Sequence, residues 1–277
     1  MHSRFGSHVP AGSLLTQTAP EILGLDIIST DAIEYGPAYA PDGHELLFTR
    51  RQSFSDPPQI LRSRLDGDQW SRPEPLPFSH PAGDEFPSFS PDGTRLYFDS
   101  ARPVDSVDQE GRNDLWYVER DGEGWSAPVH VDGPMSTPDF DSHPVETTHG
   151  LFFHSRRDGS RGVDAYLAPG TPGDWRPPEA LPFNSDATDG EVVLSNNGRY
   201  VVFYSDRAGG YGRGDLYYGT LDAGRWSAAK NLGPAINTEA WEWSPSFGRG
   251  GDLVFARLNA EGSDSDLYRV AIEPDPS

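Results

Sequence analysis

The chain has 277 residues, no cysteine and a formal net charge of -21 with pI ≈ 4.6. The lack of cysteine excludes disulfides and thiolate metal sites and leaves the redox compartment open. The acidity makes nucleic acid and anionic membrane poor partners, since both need a basic surface. Lys230 is the single lysine, so lysine-dependent chemistry is excluded almost everywhere. Thirty glycines and 26 prolines beside 12% aromatic content point to many short strands over a ring-rich core.

Residues 1–18 read as a flexible leader. Met1-His2-Ser3-Arg4-Phe5 is not followed by the apolar core of a signal peptide. No apolar run is long enough to span a bilayer. The expected location is cytoplasmic if this is the natural start, and periplasmic or secreted if an export signal was removed.

A hairpin follows, and it recurs. Its clearest copy is Asp84-Glu85-Phe86-Pro87-Ser88-Phe89-Ser90-Pro91-Asp92-Gly93-Thr94-Arg95-Leu96-Tyr97-Phe98. Pro91-Asp92-Gly93 supplies the turn, because glycine tolerates positive φ and Asp can bond its own backbone. The inner strands start near residues 34, 84, 141, 189 and 242, a step of about 50 residues that suits propeller blades. Each second strand ends in a phenylalanine: Phe48, Phe98, Phe153, Phe203 and Phe255. A third strand begins near Gln59, Asp114, Asp164, Asp215 and Asp266. Trp70, Trp125, Trp175 and Trp226 precede a fourth and read as packing between strands, each indole N–H on a backbone carbonyl.

The expected fold is therefore all-β: a single five-bladed β-propeller of four-stranded antiparallel blades over residues 19–277. The fifth unit ends after its third strand. Pro20-Glu21-Ile22-Leu23 lines up with Pro178-Glu179-Ala180-Leu181, so Glu21 to Asp26 should complete the last blade and close the ring.

The pattern acid-x-x-Pro-x-x-Ser-Pro-Asp-Gly-x-x-Leu-x-Phe-x-Ser-x-Arg, then Asp-Leu-Tyr, then Trp-Ser, resembles the WD40-like repeats of TolB-type β-propellers. Residues Asp84 to Arg102 carry it best, and blades three to five lose or alter the Asp-Gly turn. The resemblance implies a bacterial binding or scaffold propeller with no catalytic set to transfer.

Three groups of residues could carry function. Glu34, Asp84, Asp141, Asp189 and Glu242 recur three residues before the anchor position and could ring one channel mouth. Oxygen ligands so placed suit Ca²⁺ or Mg²⁺; the alternative is that each acid accepts backbone N–H bonds or pairs with an arginine. Arg102, Arg157 and Arg207 are expected to pair with Asp114, Asp164 and Asp215. The third group breaks the repeat: His143 and Glu191 on inner strands, Asp99, His154 and Tyr204 after the phenylalanine, and Trp241 and Trp243 around Glu242. In blade two the long loop from Arg102 to Asn113 reads as mobile and solvated.

No phosphate loop, Gly-x-Ser-x-Gly elbow or His-Glu-x-x-His motif is present. The reading favoured is a non-enzymatic binding or scaffold module, expected to be monomeric. It would hold a small molecule, a carbohydrate, a cation or a peptide of a protein partner at the channel mouth. The alternative is a glycoside hydrolase-type enzyme using channel carboxylates.

Overall fold

The computed structural model describes residues 14–16, 18–104, 112–122, 124–160 and 162–274. Among them there is no helix, so no helix long and apolar enough to cross a membrane. Five groups of four antiparallel strands follow one another along the described residues, the fifth joined to the first by one parallel bridge, Ser265 opposite Ile33. The inner strands are Ile33–Tyr39, Asp84–Phe89, Asp141–Thr147, Asp189–Leu194 and Trp241–Phe247. The second strands are Glu45–Arg51, Arg95–Ser100, Gly150–Ser155, Tyr200–Ser205 and Leu253–Leu258. Third strands, Gln59–Asp66, Asp114–Asp121, Asp164–Ala168, Asp215–Asp222 and Ser265–Val270, follow in each sheet. The first four sheets end on two-residue outer strands. Each inner strand neighbours the next, and the last returns to the first, so the sheets close on themselves.

Closure uses the start of the chain, as the sequence implied. Glu21–Ile22 pairs antiparallel with the third strand of the fifth sheet, Glu21 opposite Arg269 and Ile22 opposite Tyr268. Within the expected 1–18 leader, Leu14–Thr16 pairs with Ile272–Pro274, adding a second terminal pairing. Residues 1–13 lie outside the described residues, as do residues 105–111 of the blade-two loop.

Packing explains why the phenylalanines recur. Alternate residues of a strand face one side, and each phenylalanine sits mid-strand, two or three residues before its second strand ends. Phe48, Phe98, Phe153, Phe203 and Phe255 are all at most 1% exposed. The tryptophans sit on short hairpin extensions: Trp70 meets Tyr39 and Trp125 meets Phe89 within their own blades, and Trp226 meets Phe152 of the preceding blade and Phe183. The expected indole bond to a carbonyl is not made at Trp125, whose Nε1 is buried without a partner while Arg120 stacks on the ring at 4.0 Å.

Candidate functional site: an arginine-clamped ring and an axial cavity

Each of the five repeated carboxylates is at most 1% exposed, and each meets an arginine of its own blade. The pairs are Glu34–Arg50, Asp84–Arg102, Asp141–Arg157, Asp189–Arg207 and Glu242–Arg257, with N···O distances of 2.5–3.1 Å. The other oxygen work is equally regular. Each acid accepts the backbone N–H of the residue four positions earlier: Thr30, His80, Thr137, Ser185 and Thr238. Each arginine lies 4.9–5.5 Å from its blade's phenylalanine ring and donates to a carbonyl of the preceding connection. The clamp therefore ties the inner strand, the second strand and the incoming loop together. A buried carboxylate demands such pairing, because an isolated charge out of water is very costly.

The clamp comes in two forms. In blades one and five the arginine stands directly opposite the acid, and the acid is glutamate: Glu34 faces Arg50, Glu242 faces Arg257. In blades two to four the acid is aspartate and a serine stands opposite: Ser100, Ser155 and Ser205. The arginine is then two residues further on, and its Nε donates to that serine's Oγ at 2.8–3.0 Å. A change of two residues keeps the same strand face, and the side-chain length of the acid changes with it.

This corrects the expected arginine partners. Asp114, Asp164 and Asp215 belong to the third strands, whereas Arg102, Arg157 and Arg207 reach the first. Asp114 instead accepts from Ser136 Oγ, and Asp215 accepts from the backbone of Tyr211 and Gly212 and from Asn231. In blade one Arg50 supplies the clamp. Nor are the ring acids gathered as a cation cage: among the described residues no three acids or histidines come close enough to hold a metal ion.

Two residues after each clamp acid the inner strand bulges. The register with the second strand slips at Tyr35/Ala38, Glu85/Ser88, Ser142/Val145, Gly190/Val193 and Trp243/Ser246. The bulged residues have left-handed backbones: Gly36, Phe86, His143, Glu191 and Ser244, with φ of 50–58°. Glycine alone adopts that region freely, so four of the five are strained. These five form a belt around the axis, and here the repeat breaks down.

Contacts run round the belt without a gap. Phe86 meets His143 edge-on at 5.1 Å, and His143 lies over His154 at 6.1 Å. His154 Nδ1 accepts the Glu191 N–H at 3.2 Å, and Glu191 accepts the Ser244 N–H at 2.6 Å. Trp243 stacks on Tyr35 at 4.6 Å and returns to Phe86 at 6.2 Å. Trp241 packs on Trp243 and Tyr204. Beside the belt, Tyr35 donates to Glu85, Asn113 bridges Glu85 and Asp99, and Ser142 donates to Asp99 at 2.7 Å. Burial pushes the Asp99 carboxyl well up, Glu191 up to about 8 and His154 down to about 3. Burial and the neighbouring His154 push His143 well down as well. The belt is thus uncharged at His143 and His154 near neutral pH.

On the hairpin-turn side of the belt the axis opens into a cavity of about 380 Å³. Its floor is His143, and its walls are the second halves of the five inner strands, ending at a mouth formed by Pro41, Pro91, Thr148, Asn196 and Arg249. Of the residues proposed from sequence, His143 alone lines it. Glu191 and Trp243 lie behind the floor, and the five clamp acids and Trp241 lie further back on the same strands. The wall residues Ser88, Val145, Val193 and Ser246, four positions after the clamp acids, gave no signal because they look like ordinary strand filling.

No family model matches the chain, and no curated protein sequence is similar to it. Solved structures are. A thermostable family-43 glycoside hydrolase shares 10% identity over 91% of this chain and 92% of its own, with a TM-score of 0.59. An α-L-arabinofuranosidase from Lactobacillus brevis shares 12% identity over 92% of this chain and 98% of its own, with a TM-score of 0.55. TolB from Acinetobacter baumannii shares 17% identity over 87% of this chain, with a TM-score of 0.50. The matched part is 55% of that TolB, so this chain spans about half its length. The class these findings define is the TolB-like β-propeller fold. The likeness is one of fold.

Proposed function

We propose that this protein is a non-enzymatic binding module that holds a small ligand in the axial cavity. The observation that carries the reading is the place of that cavity: it ends on His143, at the level where the five strands carry Gly36, Phe86, His143, Glu191 and Ser244 on one backbone shape. Pockets where repeated elements converge on a few non-equivalent polar groups are the usual sites of recognition. The clamp acids support it by exclusion, since their oxygens are committed to arginines and backbone N–H groups.

Glycoside hydrolysis needs two carboxyl groups about 5–9 Å apart across the scissile bond. Among the described residues lining the cavity, Glu146 is the one carboxylate. The enzyme reading lacks its second acid there. The test is a thermal-shift screen of a metabolite set against the wild type and Ser246→Phe, which fills the cavity. Compounds that stabilise the wild type and not the filled variant support the reading; equal stabilisation of both contradicts it.

A further inference from the structure

The cavity has two unlike walls. Blades three and four face it with Val145, Val193 and Leu194, and blades two and five face it with Ser88 and Ser246. The floor is a fixed imidazole. His143 is 6% exposed, its ring is held edge-on by Phe86 and face-on by His154, and its Nδ1 is buried without a hydrogen-bond partner. Its backbone is kept at φ 55°, where blade one uses Gly36 at φ 58°. An imidazole held on a glycine-like backbone, with one nitrogen unsatisfied, calls for a partner.

The charged groups of the lining stand away from that floor. Glu146 is three residues further along the strand, and Arg249 lies at the mouth, donating to the Asp42 carbonyl at 2.9 Å. A charged ligand group brought down to a neutral, dry imidazole would have no counter-charge, which costs heavily. A purely apolar ligand would leave His143 and both serines unpaired. A hydroxyl both donates and accepts, so it suits either tautomer of the ring.

Building on the cavity reading above, we propose that the ligand is an uncharged polyhydroxyl molecule of monosaccharide size. Its apolar face lies on Val145, Val193 and Leu194, its hydroxyls meet Ser88 and Ser246, and one hydroxyl bonds His143.

The test uses the full chain with D-glucose, D-galactose, L-arabinose and D-xylose at millimolar concentration as probes. D-glucosamine, D-glucuronate and indole are the charged and apolar comparators, and saturation-transfer NMR with thermal shift is the readout. At least one neutral sugar should bind, with the charged and apolar comparators at least about tenfold weaker. His143→Gly, which suits the left-handed backbone, and the double variant Ser88→Ala/Ser246→Ala should each weaken that sugar at least about tenfold. The serine variant carries the test should His143→Gly fail to fold. Two results overturn the proposal: no neutral sugar binds, or sugar binding is unchanged in the folded variants. Binding of charged or apolar compounds alone, abolished by Ser246→Phe, would sink the sugar class and leave the cavity reading standing. No compound blocked by Ser246→Phe would sink both.

Discussion

The clamp ring and the axial belt sit two residues apart on the same five strands, yet they follow opposite rules. At the clamp every blade solves one problem, burying a carboxylate, and two chemical versions give the same result. At the belt the five blades place Gly36, Phe86, His143, Glu191 and Ser244 on one backbone shape, with no shared side-chain chemistry. Repetition marks what the ring needs to stand. Divergence on a strained backbone marks where stability has been given up for something else.

The most severe way to break the comparison is to open the ring. Deletion of residues 1–30 removes the outer strand of the last blade, buried Leu23 and Ile28, and the Thr30 cap on Glu34. It should abolish cooperative unfolding and give aggregates by size-exclusion chromatography; a folded monomer would refute the closure. Next in size is loss of one clamp cation. Arg207→Met leaves Asp189 buried and unpaired and should cost about 3–5 kcal/mol in denaturant unfolding. A cost near zero would mean that the acid finds water or another partner.

The belt should respond to smaller changes. Gly36→Ala places a Cβ 3.3 Å from Phe86 Cα on a backbone with φ 58° and should cost about 1–3 kcal/mol. Ser244→Gly, on the same backbone shape, should be neutral to stabilising in the same assay. Last is the pH dependence. Glu191, raised to about 8 from an ordinary 4.5, contributes stability below pH 4.5 that is lost as pH rises through 8. His154, lowered to about 3 from 6.5, contributes stability above pH 6.5 that is lost as pH falls through 3. Glu191→Gln keeps an acceptor for the Ser244 N–H and should flatten only the alkaline limb of a Tm-against-pH curve. A parallel loss on the acid limb would contradict this division of roles.

Much of the architecture was legible because it is periodic. Pro91-Asp92-Gly93 located a turn, the spacing of Phe48 to Phe255 located five second strands, and Glu21 located the closing strand. The arginine partners were misread because proximity along the chain is a poor guide in an antiparallel sheet. Arg102 follows the strand that pairs with Asp84, and Asp114 lies on the opposite neighbour. The missing signal was present: Glu34 and Glu242 replace aspartate only where arginine moves two residues back, to Arg50 and Arg257. His143 was singled out correctly as an exception, and the structure puts it on the cavity floor. Ser88 and Ser246 were invisible, since a serine in a strand becomes distinctive only when four other strands bring it to an axis.

The claim underneath all of this is that the repeated acids hold the blades together through their arginines. A double-mutant cycle on Asp84→Asn and Arg102→Met, read by denaturant unfolding, tests it most directly. The account predicts strong coupling, with the double variant less destabilised than the sum of the two single variants by at least about 2 kcal/mol. Additive costs would contradict it and return the five carboxylates to the pool of free channel ligands.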